Sequence, residues 1–182
     1  MNHSDSITPR ATPDTGTDTA PRIRLATAAD AALLARHRAD MFRDMGRCNA
    51  AAYGPLMAAS AAYFTRAIPA GEYAGWIATA TENDGRDVPI AGAGVQVRVM
   101  LPRPNESGTE LTDGPEGIVL NVYTEEAWRR RGVAELLMRH LLEWSRVRGL
   151  VRVVLHASAS GRPLYEKLGF VPTNEMRYTG TD

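Results

Sequence analysis

The sequence predicts an α/β domain in which one mixed sheet packs against helices. Three observations carry that expectation. Residues 118–149 run from a β-branched, apolar stretch (I-V-L-N-V-Y-T) through an arginine-rich junction into a stretch with apolar residues at helical spacing, closed by Gly149 where a helix C-cap glycine belongs. Residues 150–156 (L-V-R-V-V-L-H) follow that helix, so they should lie parallel to the first strand through a right-handed crossover. Residues 72–81 and 88–101 are two further strand-like runs joined by the turn signal Asn83-Asp84-Gly85, which sets them antiparallel.

Taken in order, residues 1–20 are Ser, Thr, Pro, Asp, Ala and Gly with almost no apolar content, and are expected to form a disordered tail, because they bury too little to offset the entropy of ordering. Ile23-Arg24-Leu25 reads as a short strand. Thr27 to Asp30 has the form of a capping box with Asp in place of Glu. A helix follows over 31–45, with Leu33, Leu34, His37, Met41 and Met45 near one face, and Gly46 ends it. A second helix over 50–68 is stopped by Pro69; Tyr53, Met57, Ala61 and Phe64 are spaced for its buried side. Within the hairpin, Ala91-Gly92-Ala93-Gly94 signals a bulge or a close approach of backbone. Residues 102–117, rich in Pro, Gly, Asn, Glu and Asp, read as a long mobile loop whose length suggests a lid or an interface. In the helix after the junction, Val133, Leu137, Leu141 and Trp144 form one apolar row, with Ala134, Met138 and Leu142 beside it. After strand 150–156, residues 157–162 are small and polar, Pro163 suits the first turn of a short helix ending at Gly169, and 170–178 reads as a last strand.

Length and composition limit the function classes. A chain of 182 residues is one domain, here 21–182, plus tails. The formal net charge is zero, so no long-range attraction to nucleic acid or an anionic membrane is expected, although 20 of the 21 basic residues are arginine and only Lys167 is lysine. The lone Cys48 excludes an intrachain disulfide, no Cys/His cluster has zinc spacing, and Cys48 reads as packing rather than as a nucleophile. The N-terminus lacks the apolar core of a secretory signal, and no run approaches a spanning helix. A cytoplasmic protein is expected.

The junction Arg129-Arg130-Arg131-Gly132-Val133-Ala134 is where chemistry is expected. A helix start presents backbone N–H groups without intrahelical partners and the positive end of the helix dipole. Gly132 lets backbone approach a ligand, and arginine forks suit phosphate oxygens. A phosphate or pyrophosphate is one reading; a solvated basic face is the other. The spacing matches neither the dinucleotide-binding nor the P-loop pattern.

Arg129-x-x-Gly132-x-Ala134, after an apolar strand and opening an amphipathic helix, resembles the acyl-CoA pyrophosphate loop of the GNAT superfamily of N-acetyltransferases. Leu164-Tyr165-Glu166-Lys167-Leu168-Gly169-Phe170 resembles that family's last helix and its Tyr-x-x-x-Gly-Phe exit. The resemblance covers 118–178 closely and 21–101 loosely. It implies a mostly antiparallel, twisted mixed sheet with one splayed parallel strand pair and helices on both faces. It further implies acetyl-CoA (coenzyme A) as cofactor, lying in the splay between 120–123 and 153–156. Its phosphates would meet Arg129, Arg130, Arg131, Gly132, Val133 and Ala134, and backbone N–H groups of Val122 or Tyr123 would face the acetyl carbonyl. Tyr165 is implied as the acid that protonates the leaving thiolate; packing against the cofactor is its other reading. Where relatives carry an Asn that bonds the pantetheine, this chain has only Ser158 or Ser160, and Arg162 is a further candidate for a phosphate.

The family reading makes the chain an acetyltransferase acting on a primary amine, either a small molecule or a peptide, with a non-catalytic acyl-CoA-binding or regulatory domain as the alternative. An unrelated phosphate-binding module ranks last, because it leaves the Tyr165 motif unexplained. The first two helices and their linker wall the acceptor pocket in relatives, which makes Asp40, Asp44, Met41 and Met45 candidates for that wall here, against a plain solvated or core role. Glu116, Glu125, Asp44 and His156 are candidates for the general base, although a lone His at the end of a strand is more often a structural hydrogen-bonder. No metal, nucleic acid or membrane partner is expected, and a homodimer is possible.

Overall fold

The computed structural model describes residues 20–105 and 107–180. The tail expected over 1–20 lies, except for Ala20, outside the described residues. The elements are β1 (Arg22–Leu25), α1 (Ala31–Asp44), α2 (Ala50–Ala67), β2 (Tyr73–Thr81), β3 (Asp87–Val99), β4 (Arg103–Pro104), β5 (Leu111–Thr112), β6 (Pro115–Thr124), α3 (Val133–Val147), β7 (Arg152–Leu155) and α4 (Arg162–Lys167). Five strands form one sheet in the order β1-β2-β3-β6-β7. All neighbours are antiparallel except β6 and β7, which the crossover through α3 makes parallel.

The two faces of the sheet hold separate cores, and strand periodicity assigns residues to each. On one face Trp76, Ala78 and Ala80 of β2 join Ala91, Ala93 and Val95 of β3 under Val133, Leu137, Met138 and Leu141 of α3. On the other, Tyr73 and Ile77 meet Leu34 and Ala35 of α1 and Phe64 and Ala67 of α2. The apolar row expected on α3 is the row that is buried. The α1 row is buried at Leu34 and His37 but runs out at Met45, which is 41% exposed. The capping box forms ahead of α1: Asp30 Oδ2 accepts from the Thr27 backbone N–H at 2.8 Å, and Arg24 grips the same carboxylate.

Two expectations need correction. Residues 102–117 are not a featureless loop: β4 and β5 close a small hairpin, and β6 already begins at Pro115. Residues 170–178 form no strand. Pro172 has no N–H to donate, and Thr173-Asn174 favours turns, so the apolar Phe170 and Val171 do not extend into a ladder. Among the described residues no helix is long and apolar enough to cross a membrane, and no three His, Cys, Asp or Glu residues cluster to hold a metal.

Candidate active site

The site begins where the β6–β7 pairing ends. The parallel ladder runs from Glu116↔Arg152 to Val119↔Leu155 and stops. β6 continues to Thr124 while β7 ends, so the edge of β6 from Leu120 onward carries no partner on the β7 side. At the same point β6 bulges. Gly94 pairs with Leu120 and Gly92 with Tyr123, so Asn121 and Val122 together oppose Ala93. Asn121 takes φ +59°, a left-handed conformation that Asn adopts more readily than other non-glycine residues.

Past Thr124 the chain makes a short turn at Glu126–Trp128 and enters the arginine junction. Arg130 (φ +63°) and Gly132 (φ +78°) both have positive φ. Gly132 is the N-cap of α3 and a Cβ there would meet nothing within 4 Å. The first helical bond is Leu136 N–H to the Gly132 carbonyl, 3.0 Å. None of the backbone N–H groups from Arg130 to Glu135 finds an acceptor among the described residues. Free N–H groups at a helix start, where the positive end of the helix dipole lies, are the donors an anion would need.

The three arginines have different tasks. Arg129 donates Nε–H to the Thr124 carbonyl at 3.0 Å, pairs with Asp44 and lies over the Tyr123 ring, 5.7 Å from its centre. It braces the junction against the ends of β6 and α1. Arg131 lies over Trp128 at 5.1 Å, and Arg130 is exposed. Ser158 Oγ accepts from Gly161 N–H at 3.1 Å and so closes the turn into α4, while Ser160 and Arg162 are exposed. Tyr165 is half-buried, edge-on to Phe170 at 6.0 Å, and its hydroxyl has no hydrogen-bond partner among the described residues. Burial raises its pKa above the ordinary phenol value.

The opposite side of the bulge opens into a cavity of about 340 Å³. Its polar lining comes from Arg38, Ser60, Tyr63, Tyr73, Gln96 and Asn121, and its apolar lining includes Leu56, Phe64 and Leu120. Asn121 is the bridge across it: Arg38 Nη1 donates to Asn121 Oδ1 at 2.6 Å, and Asn121 Nδ2 donates to the Tyr73 hydroxyl at 3.2 Å. Gln96 Nε2 donates to the Tyr63 hydroxyl at 3.0 Å. Gly92 and Gly94 make this side possible, because added Cβ atoms would fall 2.8 Å from His37 Nδ1 and 1.9 Å from the Tyr73 hydroxyl. Sequence reasoning singled out the Gly-x-Gly pair but not Arg38, Tyr73 or Asn121. An Asn inside an otherwise β-branched strand, opposite that glycine pair, was the available signal.

The expected acidic wall is absent from this cavity. Asp40 is held by Arg36 and Arg43 and accepts from the Tyr53 hydroxyl at 2.8 Å, and Asp44 pairs with Arg129. Met41 and Met45 do not line it either. Of the base candidates, Glu116 is 1% exposed, paired with Arg152 and Arg103, and five residues from the bulge along β6, or ~17 Å of strand. His156 faces Glu175 near the surface. Glu125 follows the bulge directly and is bonded by Arg36 at 2.6 Å.

His37 lies beneath the bulge, fully buried, with neither ring nitrogen hydrogen-bonded. Its Nε2 is 3.4 Å from Glu125 Oε1, within ion-pair reach but out of line for a hydrogen bond. Burial, with the Arg36 charge second, pushes its pKa from 6.5 down to about 4. The unfolded chain therefore binds a proton that the folded one refuses between those values, and the stability due to neutral His37 is full above 6.5 and lost as pH falls towards about 4. Denaturant unfolding across that range should show a slope that His37→Gln flattens; equal slopes would place the effect elsewhere.

A model of the acetyltransferase (GNAT) family matches residues 38–170 of the chain. Among solved structures, a GCN5-related N-acetyltransferase from Ralstonia eutropha is 31% identical, with a TM-score of 0.73 over 87% of this chain and 97% of that one. A predicted acetyltransferase from Clostridium acetobutylicum, crystallised with acetyl-CoA, is 27% identical, with a TM-score of 0.70 over 88% and 96%. An aminoglycoside N-acetyltransferase in complex with CoA shares the fold at 18% identity and a TM-score of 0.63, over 90% and 97%. No curated protein matches the chain.

Proposed function

The chain belongs to the GNAT family of acetyltransferases, and from that premise we propose that a single domain over 21–182 moves an acetyl group from acetyl-CoA to a primary amine by direct transfer. The observation that carries the proposal is the junction of two features: a parallel strand pair that opens at a bulge, and a run of unpaired N–H groups at the start of α3 beside it.

The residues fit the donor. The free N–H groups of 130–135, with the charges of Arg130 and Arg131, suit a pyrophosphate. The unpaired edge of β6 suits an extended amide chain lying beside it as a further strand would. Acetyl-CoA supplies an activated acetyl thioester. The amine nitrogen bonds the carbonyl carbon, the carbon–sulfur bond breaks with its electron pair on sulfur, and the amine releases one proton to solvent. Backbone N–H groups of Val122 or Tyr123 stabilise charge on the carbonyl oxygen. Tyr165 gives its proton to the thiolate and regains one from solvent. Its raised pKa keeps it protonated at neutral pH. The cavity on the other side of the bulge receives the acceptor. Holding both reactants across one bulge supplies much of the acceleration.

Thermal unfolding with acetyl-CoA, CoA, ATP and inorganic phosphate, together with thiol release across a panel of amines, tests the proposal. At a concentration ~100 times its dissociation constant acetyl-CoA should add about 2.7 kcal/mol, ATP and phosphate should add far less, and thiol release should require an amine. A response shared with ATP and phosphate, or CoA binding without turnover on any amine, would count against it.

A further inference from the structure

The wall of the acceptor cavity carries one unmatched charge. Arg38 stands on α1 beside the bulge, and its guanidinium has five N–H donors but a single hydrogen bond among the described residues, to Asn121 Oδ1. The other α1 arginines are neutralised: Arg36 by Asp40 and Glu125, and Arg43 by Asp40. Among the described residues no carboxylate pairs with Arg38, and none lines the cavity. The guanidinium also lies over the Phe42 ring, 4.9 Å from its centre. Burial acts on it as on any half-desolvated cation, lowering its pKa.

A guanidinium withdrawn from water without a counter-ion is costly. The neighbouring groups do not offset it. Tyr73 is driven further from ionisation by its own burial, and Ser60, Tyr63 and Gln96 are neutral. Asn121 holds the fork in place by one nitrogen and leaves the other donors for a ligand. Planar, bidentate donors of this kind match carboxylate and phosphate oxygens. The volume is at the low end for ligand pockets, and Leu56, Phe64 and Leu120 give it an apolar side.

Resting on the acetyltransferase reading above, we infer that the acceptor is a small amine that also carries a compact oxyanion, a carboxylate or a phosphate, and that Arg38 is the specificity residue that holds it. A polycationic acceptor is disfavoured, because the wall offers it a positive charge and no carboxylate. A free amino acid is the carboxylate case, with its side chain against Leu56 and Phe64; a phosphorylated amino compound is the other.

Matched probes test this by binding and by turnover. Leucine is compared with leucinamide, and O-phosphoethanolamine with ethanolamine, using calorimetric titration of the protein with CoA bound, and thiol release with acetyl-CoA. In the wild type the anionic member of at least one pair should bind and turn over at least ~10-fold better than its neutral partner, as one charge-assisted bond of ~1.5 kcal/mol provides. Which pair responds distinguishes carboxylate from phosphate. Arg38→Gln should abolish that preference through KM with little change in kcat, and Arg38→Lys should restore part of it. CoA affinity and Tm without ligand serve as folding controls for both variants. Neutral partners used as well as the anionic members in both pairs, or a preference that survives Arg38→Gln, overturns the inference while leaving the transferase reading intact. Arg38-dependent binding of the anionic probes without turnover of any amine keeps Arg38 as an oxyanion site but sinks the transferase reading, and the acceptor assignment with it. No response to any anionic probe overturns the inference.

Discussion

Gly94→Ala is expected to destabilise the protein by about 3 kcal/mol, near the upper end for overpacking a closed core, and to collapse the acceptor cavity in the same step. A Cβ on Gly94 would sit 1.9 Å from the Tyr73 hydroxyl and 2.3 Å from its ring carbon Cζ. Neither side can yield cheaply. Gly94 is in the middle of β3, paired on both flanks with Gly75 and Leu120. Tyr73 is 2% exposed, with Phe64 at 4.8 Å and Tyr63 at 6.3 Å between ring centres. If Tyr73 swings, it also leaves Asn121 Nδ2, at ~1 kcal/mol more. For a domain of this size the loss corresponds to a fall in Tm of ~10 °C. Tyr73→Phe alone should cost only the hydrogen bond, since the ring stays. Tyr73→Leu supplies a second test. The pair Gly94→Ala/Tyr73→Leu should lose less than the sum of its single changes, with a coupling of at least ~1 kcal/mol. Additivity, or a Gly94→Ala protein as stable as the wild type, would mean that the two residues do not share this space.

That contact also shows what the sequence could and could not disclose. Locally encoded features were legible. The α3 row of Val133, Leu137 and Leu141 follows from a 3.6-residue period, the hairpin from Asn83-Asp84-Gly85, and the parallel β6–β7 pair from the hand of a crossover. The free N–H groups at the start of α3 were legible for the same reason, since Gly132, the arginines and the helix start are neighbours in the chain. The acceptor cavity was not. Arg38, Ser60, Tyr73 and Asn121 come from four elements and meet only because two glycines on β3 leave room for rings contributed by α1 and β2. The first-helix acids illustrate the same limit. Asp40 and Asp44 have the right charge for an amine, but Arg43 and Arg129 reach them first, and the ion pairing that decides this depends on residues up to 85 positions away. The last strand failed differently: Phe170 and Val171 have the composition of a strand, but Pro172 directly after them has no N–H to give a ladder.

Tyr165→Phe is expected to lower kcat by ~100-fold or more, the usual contribution of a positioned general acid, while leaving KM for both substrates and the stability of the fold nearly unchanged. The stability argument comes from the ring. It packs edge-on against Phe170 and into the α3 core, and Phe keeps that packing. The hydroxyl has no protein partner among the described residues, so its removal strands no buried group. A loss in kcat with an unchanged Tm therefore reports chemistry rather than packing. Burial raises the Tyr165 pKa above that of an ordinary phenol, so the acid form persists with rising pH, and wild-type turnover should not fall through its ionisation below pH ~10. Proton donation makes one further demand that packing does not. The need for an acid depends on how poor a leaving group the thiolate is, so the Tyr165→Phe penalty should shrink when the acetyl donor carries a more acidic thiol. A penalty of less than ~3-fold, or one of the same size for every leaving thiol, would reduce Tyr165 to a residue that packs against the donor, and protonation of the thiolate would then fall to solvent.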